Sequence, residues 1–285
     1  MASINNTYLN EVKEYYNKSQ RWYSWFYSDS QSLGMHYGFW DNGILDRTLA
    51  LIQPYKYVLN YLKPKKGEKI LDAGCGVGGA SLWLATESKS EYVGITLSEI
   101  QLEQAQKNVK KRHLENQVSF LCADYSNTDF LNNSFDGIFG LESFCYSYPN
   151  SKKLFGEMHR ILKPKGKIVM LDGVFLRHPA NDYEQKLAKD FCRGFRLAAM
   201  STPEEIISQI KEAGFSKINF VNKTDVIKPS VLDLFSKGRK VSFFRFFKYL
   251  GIVSQVEVDN LLATESQMEM YNRGLFGYGI FYAEK

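Results

Sequence analysis

Residues 69–79 read Lys69-Ile70-Leu71-Asp72-Ala73-Gly74-Cys75-Gly76-Val77-Gly78-Gly79, an apolar run followed by an acid and a glycine-rich segment. The pattern predicts a strand, a tight loop and a helix that begins near Gly79. Glycine permits positive φ angles and a close approach of backbone to a ligand, and Gly74, Gly76 and Gly78 suit both uses. The stretch therefore predicts a cofactor loop between the first strand and the next helix.

The acid in this stretch narrows the choice of cofactor. Gly74, Gly76 and Gly79 also fit the G-x-G-x-x-G spacing of dinucleotide-binding proteins, but several folds share that spacing. Asp72 would repel a pyrophosphate and attract the cationic amino group of S-adenosylmethionine (SAM). The second strand ends at Thr96, where a nicotinamide-binding protein would carry an acid. We therefore predict SAM as the cofactor.

Further segments extend the pattern and resemble a known family. They are Leu71-Asp72-Ala73-Gly74-Cys75-Gly76-Val77-Gly78-Gly79, Gly94-Ile95-Thr96-Leu97-Ser98-Glu99-Ile100-Gln101, Ala123-Asp124-Tyr125 and Arg160-Ile161-Leu162-Lys163-Pro164-Lys165-Gly166-Lys167. Their order and spacing resemble class I SAM-dependent methyltransferases, and within these the branch of sterol, tocopherol and terpenoid C-methyltransferases with related bacterial natural-product enzymes. The resemblance covers essentially the whole chain. It implies an α/β fold with a doubly wound, Rossmann-like, seven-stranded sheet of order 3-2-1-4-5-7-6, strand 7 antiparallel, and helical lid elements.

Alternating strand and helix patterns independently support an α/β fold. The first predicted strand begins at Lys69. The other predicted strands are Glu91–Thr96, Val118–Ala123, Phe135–Leu141, Lys167–Leu171, Ser216–Asn222 and Phe276–Ala283, with a turn at Lys163-Pro164-Lys165-Gly166. The predicted helices lie at residues 8–27, as one or two helices, and at Leu45–Leu62, Gly79–Ser88, Lys152–Leu162, Tyr183–Met200 and Pro203–Ala213. The expected domains are an N-terminal helical lid and active-site loop (1–62), the SAM-binding core (63–227), a lid insertion (228–273) and a final core strand (274–285).

The resemblance implies the cofactor-binding residues. Most relatives end the second strand with an acid that binds both ribose hydroxyls, and here Ser98, Gln101 and backbone groups at Thr96 and Leu97 would replace it. Asp124 would accept a hydrogen bond from the adenine amine, although a turn or helix cap is the alternative role for this residue. The full predicted set is Asp72, Gly74, Gly76, Gly78, Thr96, Leu97, Ser98, Gln101, Ala123, Asp124, Tyr125 and Leu141.

Four residues are candidates for catalysis. Glu142 follows the fourth strand, whose carboxyl end should lie beside the reacting methyl group, and a carboxylate there can stabilise a carbocation and receive a proton. Its alternative role is to hold the N-terminal lid. His36 is a candidate for proton handling or substrate orientation, or else a turn cap. Tyr146 stands where many relatives carry a histidine, and Asp172 is a candidate base or the cap of the next segment.

The amino-acid composition limits which classes of binding partner are expected. The 285 residues are 44% hydrophobic, 24% charged and 15% aromatic, with a net charge of +5. The basic residues are mostly scattered, which disfavours a nucleic-acid partner. The four cysteines form no C-x-x-C pair, so we expect reduced thiols, no metal site and a cytoplasmic location. We expect no integral membrane segment, and the N-terminal or lid helices are candidates for a homo-oligomer contact.

The favoured reaction is methyl transfer to an alkene carbon of a prenoid, sterol or terpenoid through a carbocation, in natural-product biosynthesis. The first alternative is O- or N-methylation of a small natural product with His36, Tyr146 or Asp172 as base. Others are a non-catalytic SAM-binding protein and a terpenoid cyclase that uses the cofactor only as a positive charge. The cations Lys186, Arg193 and Arg196 are expected to be solvated rather than to hold a diphosphate. The stretch Phe243–Leu250 is expected to form an inward-packed lid helix, with a membrane-surface contact as the alternative.

Overall fold

The computed structural model describes residues 2–26, 29–238 and 255–285. The strands are β1 (Lys69–Ala73), β2 (Glu91–Thr96), β3 (Val118–Cys122), β4 (Phe135–Leu141), β5 (Leu162–Phe175), β6 (Ser216–Asn222) and β7 (Phe276–Glu284). The helices are α1 (Ala2–Phe26), α2 (Arg47–Leu62), α3 (Gly79–Ser88), α4 (Glu99–Lys111), α5 (Lys152–Ile161), α6 (Asp182–Phe195), α7 (Pro203–Glu212), α8 (Lys228–Gly238) and α9 (Gln255–Asn272). The predicted lid stretch Phe243–Leu250 lies outside the described residues.

The seven strands form one sheet in the order β3-β2-β1-β4-β5-β7-β6. Strands β1 to β5 run parallel, and β7 is antiparallel to both β5 and β6. The predicted order and the antiparallel last strand are confirmed. Because parallel strands direct their carboxyl ends to one edge, the segments after β1, β2, β4 and β5 are brought together there.

Helices cover both faces of the sheet, as a parallel sheet requires. Ile70 of β1 packs in the core on one face, with Tyr55 and Val58 of α2. Leu71, the next residue, belongs to the core on the opposite face, with residues of α5 and α7. Since successive side chains of a strand point to opposite faces, the consecutive apolar residues Ile70 and Leu71 fill both cores.

Several predicted boundaries agree with the structure and some are wrong. The bounds of β2, β4, β6 and α3 are confirmed. The helix predicted over Tyr183–Met200 ends at Phe195, because Arg196 adopts a left-handed φ of 55°. The predicted turn Lys163–Gly166 lies within β5, whose pairing with β4 shifts register between Phe135 and Gly137 and so accommodates the extra residues. Of the stretch predicted as one or two helices, residues 8–26 belong to a single helix, α1, and Tyr27 lies outside the described residues.

None of the described helices is long and apolar enough to span a bilayer.

Candidate active site

A cavity of about 440 Å³ lies at the carboxyl ends of the parallel strands. Its floor is formed by the segments that follow β1, β2 and β4 and by Asp172 and Gly173 within β5. Residues of α1, of α8 and of the loop after α1 contribute to its walls. Of the predicted cofactor residues it is lined by Asp72, Gly74, Gly76, Thr96, Leu97, Ser98, Gln101, Tyr125 and Leu141. All four predicted catalytic residues, Glu142, His36, Tyr146 and Asp172, line the same cavity.

The glycine loop has the backbone conformation that its sequence predicts. Gly74, Gly76 and Gly78 have φ angles of 100°, 52° and 86°. A Cβ on Gly74 would lie 2.3 Å from the Cβ of Ser143, so the segment after β4 packs directly on this loop. A side chain at Gly74 is therefore excluded both by backbone conformation and by space.

Asp72 lies at the start of this loop and is 2% exposed. Its Oδ2 accepts a hydrogen bond of 2.6 Å from the Ser81 hydroxyl at the start of α3. Burial raises the pKa of Asp72 to about 7, while the bond from Ser81 opposes that rise. A cationic group beside this carboxylate would stabilise its ionised form.

The end of β2 is closed by a polar network that reaches α1. The Thr96 hydroxyl donates to Gln101 Oε1 at 2.9 Å, and Gln101 Nε2 donates to Gln20 Oε1 at 3.0 Å. The Ser98 hydroxyl donates to Asn17 Oδ1 at 2.5 Å. The contribution of Asn17 and Gln20 was missed by the sequence analysis, because polar residues on an otherwise aromatic helix gave no signal for their partner.

The residues after β3 take up different positions around the cavity. Tyr125 lines it, and its hydroxyl donates to the Ser143 carbonyl at 2.7 Å. Asp124 accepts bonds from the Ser126 N–H and hydroxyl, at 2.8 and 2.7 Å, which is the geometry of a turn. Gly78, Ala123 and Asp124 are not among the described residues that line the cavity.

Glu142 occupies a strained position directly after β4. It has a left-handed φ of 51°, and its N–H donates to the Leu171 carbonyl at 2.8 Å. Its Oε1 accepts bonds from the Tyr37 N–H at 2.7 Å and from the Tyr278 hydroxyl at 3.0 Å. Burial raises the pKa of Glu142 to about 8, and the charge of Asp172 adds to that rise.

Asp172 lies inside β5 and is 1% exposed. Its Oδ2 accepts a bond of 3.0 Å from the Cys145 N–H, so it holds the segment after β4 rather than capping the segment after β5. Burial raises the pKa of Asp172 to about 7. Three carboxyl groups with raised pKa values, those of Asp72, Glu142 and Asp172, thus line one cavity.

His36 presents an imidazole nitrogen within the same cavity wall. Its Nδ1 lies 3.0 Å from the Tyr37 carbonyl oxygen, which can only accept, so Nδ1 carries the proton and Nε2 a lone pair. The buried Nε2 has no hydrogen-bond partner among the described residues. Burial lowers the pKa of His36 to about 4, which keeps the ring neutral at pH 7.

Aromatic rings surround the part of the cavity that Glu142 faces. The hydroxyl of Tyr16, on α1, donates to the Tyr146 hydroxyl at 2.9 Å, and Tyr146 donates to the Phe195 carbonyl at 3.2 Å. The rings of Tyr16 and Tyr146 meet edge to face at 5.7 Å. Other rings that line the cavity are Trp40, Phe191, Phe195 and Phe276. We call this part of the cavity the acceptor end, and the part at Asp72 and the glycine loop the cofactor end.

The residues at the cofactor end fit SAM. The buried carboxylate of Asp72 matches the ammonium group of SAM. The glycine loop allows a close contact between backbone and ligand, and the polar groups after β2 match hydroxyl groups of the ligand. Asp72, Gly74, Gly76, Ser98 and Gln101 are therefore the residues that would hold it. Bound there, SAM supplies an electrophilic methyl group on a sulfonium.

Comparison with known proteins agrees with this geometry. Residues 70–166 match the family model described as a methyltransferase domain. The 24-methylenesterol C-methyltransferase 3 of Arabidopsis thaliana is 29% identical over 251 residues, covering 87% of this chain and 67% of the relative. The chloroplastic tocopherol O-methyltransferase of the same plant is 23% identical, covering 96% of this chain and 81% of the relative.

A solved structure shows the same fold. The structure of a geranyl diphosphate methyltransferase in complex with GPP and sinefungin has a TM-score of 0.76 and 18% identity, covering 98% of this chain and 99% of that one. The fold, the cofactor loop and the domain match agree with what the motifs predicted: residues 70–166 match a methyltransferase domain, and the chain is similar to SAM-dependent methyltransferases over most of its length.

Proposed function

We propose that this protein transfers the methyl group of SAM to an alkene carbon of a small, largely apolar prenoid, sterol or terpenoid. The observation that carries the proposal is Glu142, held by Tyr37 and Tyr278 at the acceptor end among aromatic rings. The relatives of this chain include both C- and O-methyltransferases, so the identity of the acceptor atom has to be inferred from the residues of the site.

The acceptor end suits a reaction through a carbocation. The π electrons of the alkene form the new carbon–carbon bond as the carbon–sulfur bond breaks, which leaves a positive charge on the neighbouring carbon. Aromatic faces stabilise such a charge by about 1 kcal/mol each, and an ionised Glu142 stabilises it further. Glu142 then accepts a proton from the carbon next to the cation, which restores a double bond.

Helices α1 and α8 are proposed as lids over this reaction. Besides Asn17 and Gln20 at the cofactor end, α1 is tied to α9 by the bond of 2.7 Å from Asn260 Nδ2 to the Tyr15 hydroxyl. On α8, the Ser230 hydroxyl accepts bonds from the Gly38 N–H and the Trp40 indole N–H, at 3.1 and 2.9 Å. Closed helices exclude water, which would otherwise quench a carbocation. We also propose a cytoplasmic enzyme, since all four cysteines are free thiols.

A second candidate function is O- or N-methylation, and the lone pair of His36 Nε2 is the observation that favours it. A neutral imidazole at the cavity wall is able to take a proton from a hydroxyl or amine as the methyl group arrives. In that reaction Glu142 would serve only to hold Tyr37 and Tyr278.

Label transfer tests both functions. The purified protein is incubated with methyl-labelled SAM and a panel of prenyl alcohols, prenyl diphosphates, sterols, triterpenes, phenols and amines, and products are analysed by mass spectrometry. Label on a prenoid carbon is the expected result. Label on oxygen or nitrogen supports the second candidate, and SAM binding with no transfer to any compound contradicts both.

A further inference from the structure

The two hydrogen bonds that Glu142 accepts come from two separate segments of the chain. The Tyr37 N–H belongs to the loop after α1, and the Tyr278 hydroxyl belongs to β7. The N–H of Lys223, the residue directly after β6, donates to the Tyr278 carbonyl at 2.8 Å. The Thr224 hydroxyl accepts a bond of 3.1 Å from the Tyr278 N–H. The backbone of Tyr278 is therefore held by the residues that follow β6.

A cluster of polar side chains joins these two segments. Asp41, four residues after Tyr37, forms an ion pair of 3.4 Å with Lys223. The Tyr57 hydroxyl of α2 donates to Asp41 Oδ2 and accepts a bond of 2.6 Å from Lys223 Nζ. One turn earlier on α2, Gln53 Nε2 donates to Asp41 Oδ1 at 2.9 Å. We call Asp41, Gln53, Tyr57 and Lys223 the anchor cluster.

The anchor cluster lies behind the cavity and is largely withdrawn from solvent. The side chains of Asp41 and Lys223 are 13% and 16% exposed, so water screens their attraction less than it would at the surface. None of the four cluster residues is among the described residues that line the cavity. Any effect of the cluster on the reaction must therefore pass through the residues that it holds.

A chain of aromatic contacts links the anchor cluster to Tyr278. Phe39, which lies between Tyr37 and Asp41 in sequence, is completely buried. Its ring meets the rings of Tyr57 and Tyr278 edge to face, with centroids 5.5 and 5.6 Å away. The Tyr37 ring also meets the Tyr278 ring edge to face, at 5.6 Å. Because a close-packed interior does not absorb the shift of one ring without moving its neighbours, a displacement of Tyr57 is passed on to Tyr278.

We propose that Asp41, Tyr57 and Lys223 are positioning residues that keep the two hydrogen-bond donors of Glu142 in place. The inference rests on the proposed function for what Glu142 does in the reaction, whereas the placement of its donors can be tested without an acceptor. Both donors stabilise the ionised carboxylate and so oppose the effect of burial. Loosened donors would leave Glu142 protonated to a greater extent and less able to accept a proton.

The first test removes one hydroxyl of the anchor cluster without changing any charge. Tyr57→Phe deletes the bridge between Asp41 and Lys223. The side-chain carboxyls of the full-length protein, free of ligand, are titrated by carbon-13 NMR, and the Glu142 signal is identified by its absence from Glu142→Gln. The pKa of Glu142, which burial raises to about 8, should rise by at least about 0.5 pH unit further in Tyr57→Phe.

Tyr61→Phe is the matched control for this variant. Tyr61 lies one turn further along α2, and its ring packs on Tyr282 instead of on the anchor cluster. The control should leave the pKa of Glu142 unchanged. Identical titration of Glu142 in the wild type and in Tyr57→Phe overturns the proposal, and so does an equal shift in both tyrosine variants.

A second variant separates position from charge. Asp41→Ala removes a negative charge, which by itself would lower the pKa of Glu142, whereas loosened donors raise that pKa. The titratable side chains that interact with Glu142 are those of Asp172, Cys145 and Tyr278, and they are unchanged in this variant. A rise in the pKa of Glu142 is expected. A fall would show that only charge is transmitted and would overturn the proposal.

Turnover separates this inference from the proposed function. With an acceptor identified by label transfer, Tyr57→Phe should lower kcat at pH 7 by about 5-fold and move the pH profile of kcat to higher pH. SAM affinity and the KM for the acceptor should each change by less than about 2-fold. A raised pKa of Glu142 with unchanged kcat would uphold the placement of its donors and count against the proposed function. An unchanged pKa of Glu142 overturns the inference whichever acceptor is methylated.

Discussion

The two ends of the cavity are assembled in opposite ways. The cofactor end is largely one continuous stretch, in which Asp72, the glycine loop and Ser81 lie within a few residues of one another. The acceptor end collects its groups from across the chain: Glu142 bonds to Tyr37 and Tyr278, which are 105 and 136 residues away. The cofactor end is thus formed largely by local sequence, and the acceptor end is assembled by tertiary contacts.

The largest effect is expected from a substitution that alters the acceptor end alone. Glu142→Gln keeps the shape and one carbonyl acceptor but removes the negative charge, so turnover should fall by about 10³-fold. SAM affinity, measured calorimetrically, should change by less than about 3-fold. Full retention of activity would contradict the catalytic role of Glu142. Glu269→Gln, on α9 where Glu269 pairs with Arg273, serves as the charge-matched control.

The second largest effect is expected from a substitution at the cofactor end. Gly74→Ala places a methyl group 2.3 Å from Ser143 at a positive φ. We expect a loss of about 2–3 kcal/mol in unfolding free energy and about 100-fold in SAM affinity, measured by denaturant unfolding and calorimetry. Gly156→Ala is the matched control, because Gly156 lies in α5 with open space around it and should gain about 0.5–1 kcal/mol. Equal behaviour of the two variants would contradict the role assigned to the loop.

A smaller effect appears in the pH dependence of stability. Burial raises the pKa of Glu142 from 4.5 to about 8, so between these values the folded protein keeps a proton that the unfolded chain has released. The unfolding free energy should therefore decrease as pH rises from 5 to 8, and Glu142→Gln should remove on the order of 2 kcal/mol of that decrease. Urea unfolding at a series of pH values measures it, and parallel curves for variant and wild type would disprove it.

The smallest effect sharpens the comparison within the cofactor end. Asp72→Asn keeps an acceptor for Ser81 but loses the charge, so SAM affinity should fall by about 10-fold. Methylthioadenosine, which lacks the ammonium-bearing part of SAM, should bind the variant and the wild type equally well. A similar loss for both ligands would show that Asp72 supports the fold of the loop rather than the charge of the cofactor.

The difference between the two ends also explains which parts of the site could be predicted from the sequence. The glycine loop, the strand bounds of β2 and β4 and the inclusion of Glu142 in the site all follow from local pattern. The sequence does not indicate the partners of Glu142. Tyr278 is one of several aromatic residues in β7, and Tyr37 contributes only its backbone N–H, which every residue except proline has. The end of α6 was misjudged for a related reason, since its pattern of apolar residues continues after Arg196 has turned left-handed.

The position of β7 in the sheet determines the order in which the strands can pair during synthesis. It follows every other strand in sequence, yet it lies between β5 and β6. A chain emerging from the ribosome can pair β1 to β5 first, but β6 has no neighbouring strand until β7 has been synthesised. Because β7 also carries Tyr278, the Glu142 carboxylate obtains its second hydrogen bond only when the sheet closes. A nascent chain is therefore able to form its cofactor loop well before its acceptor end is complete.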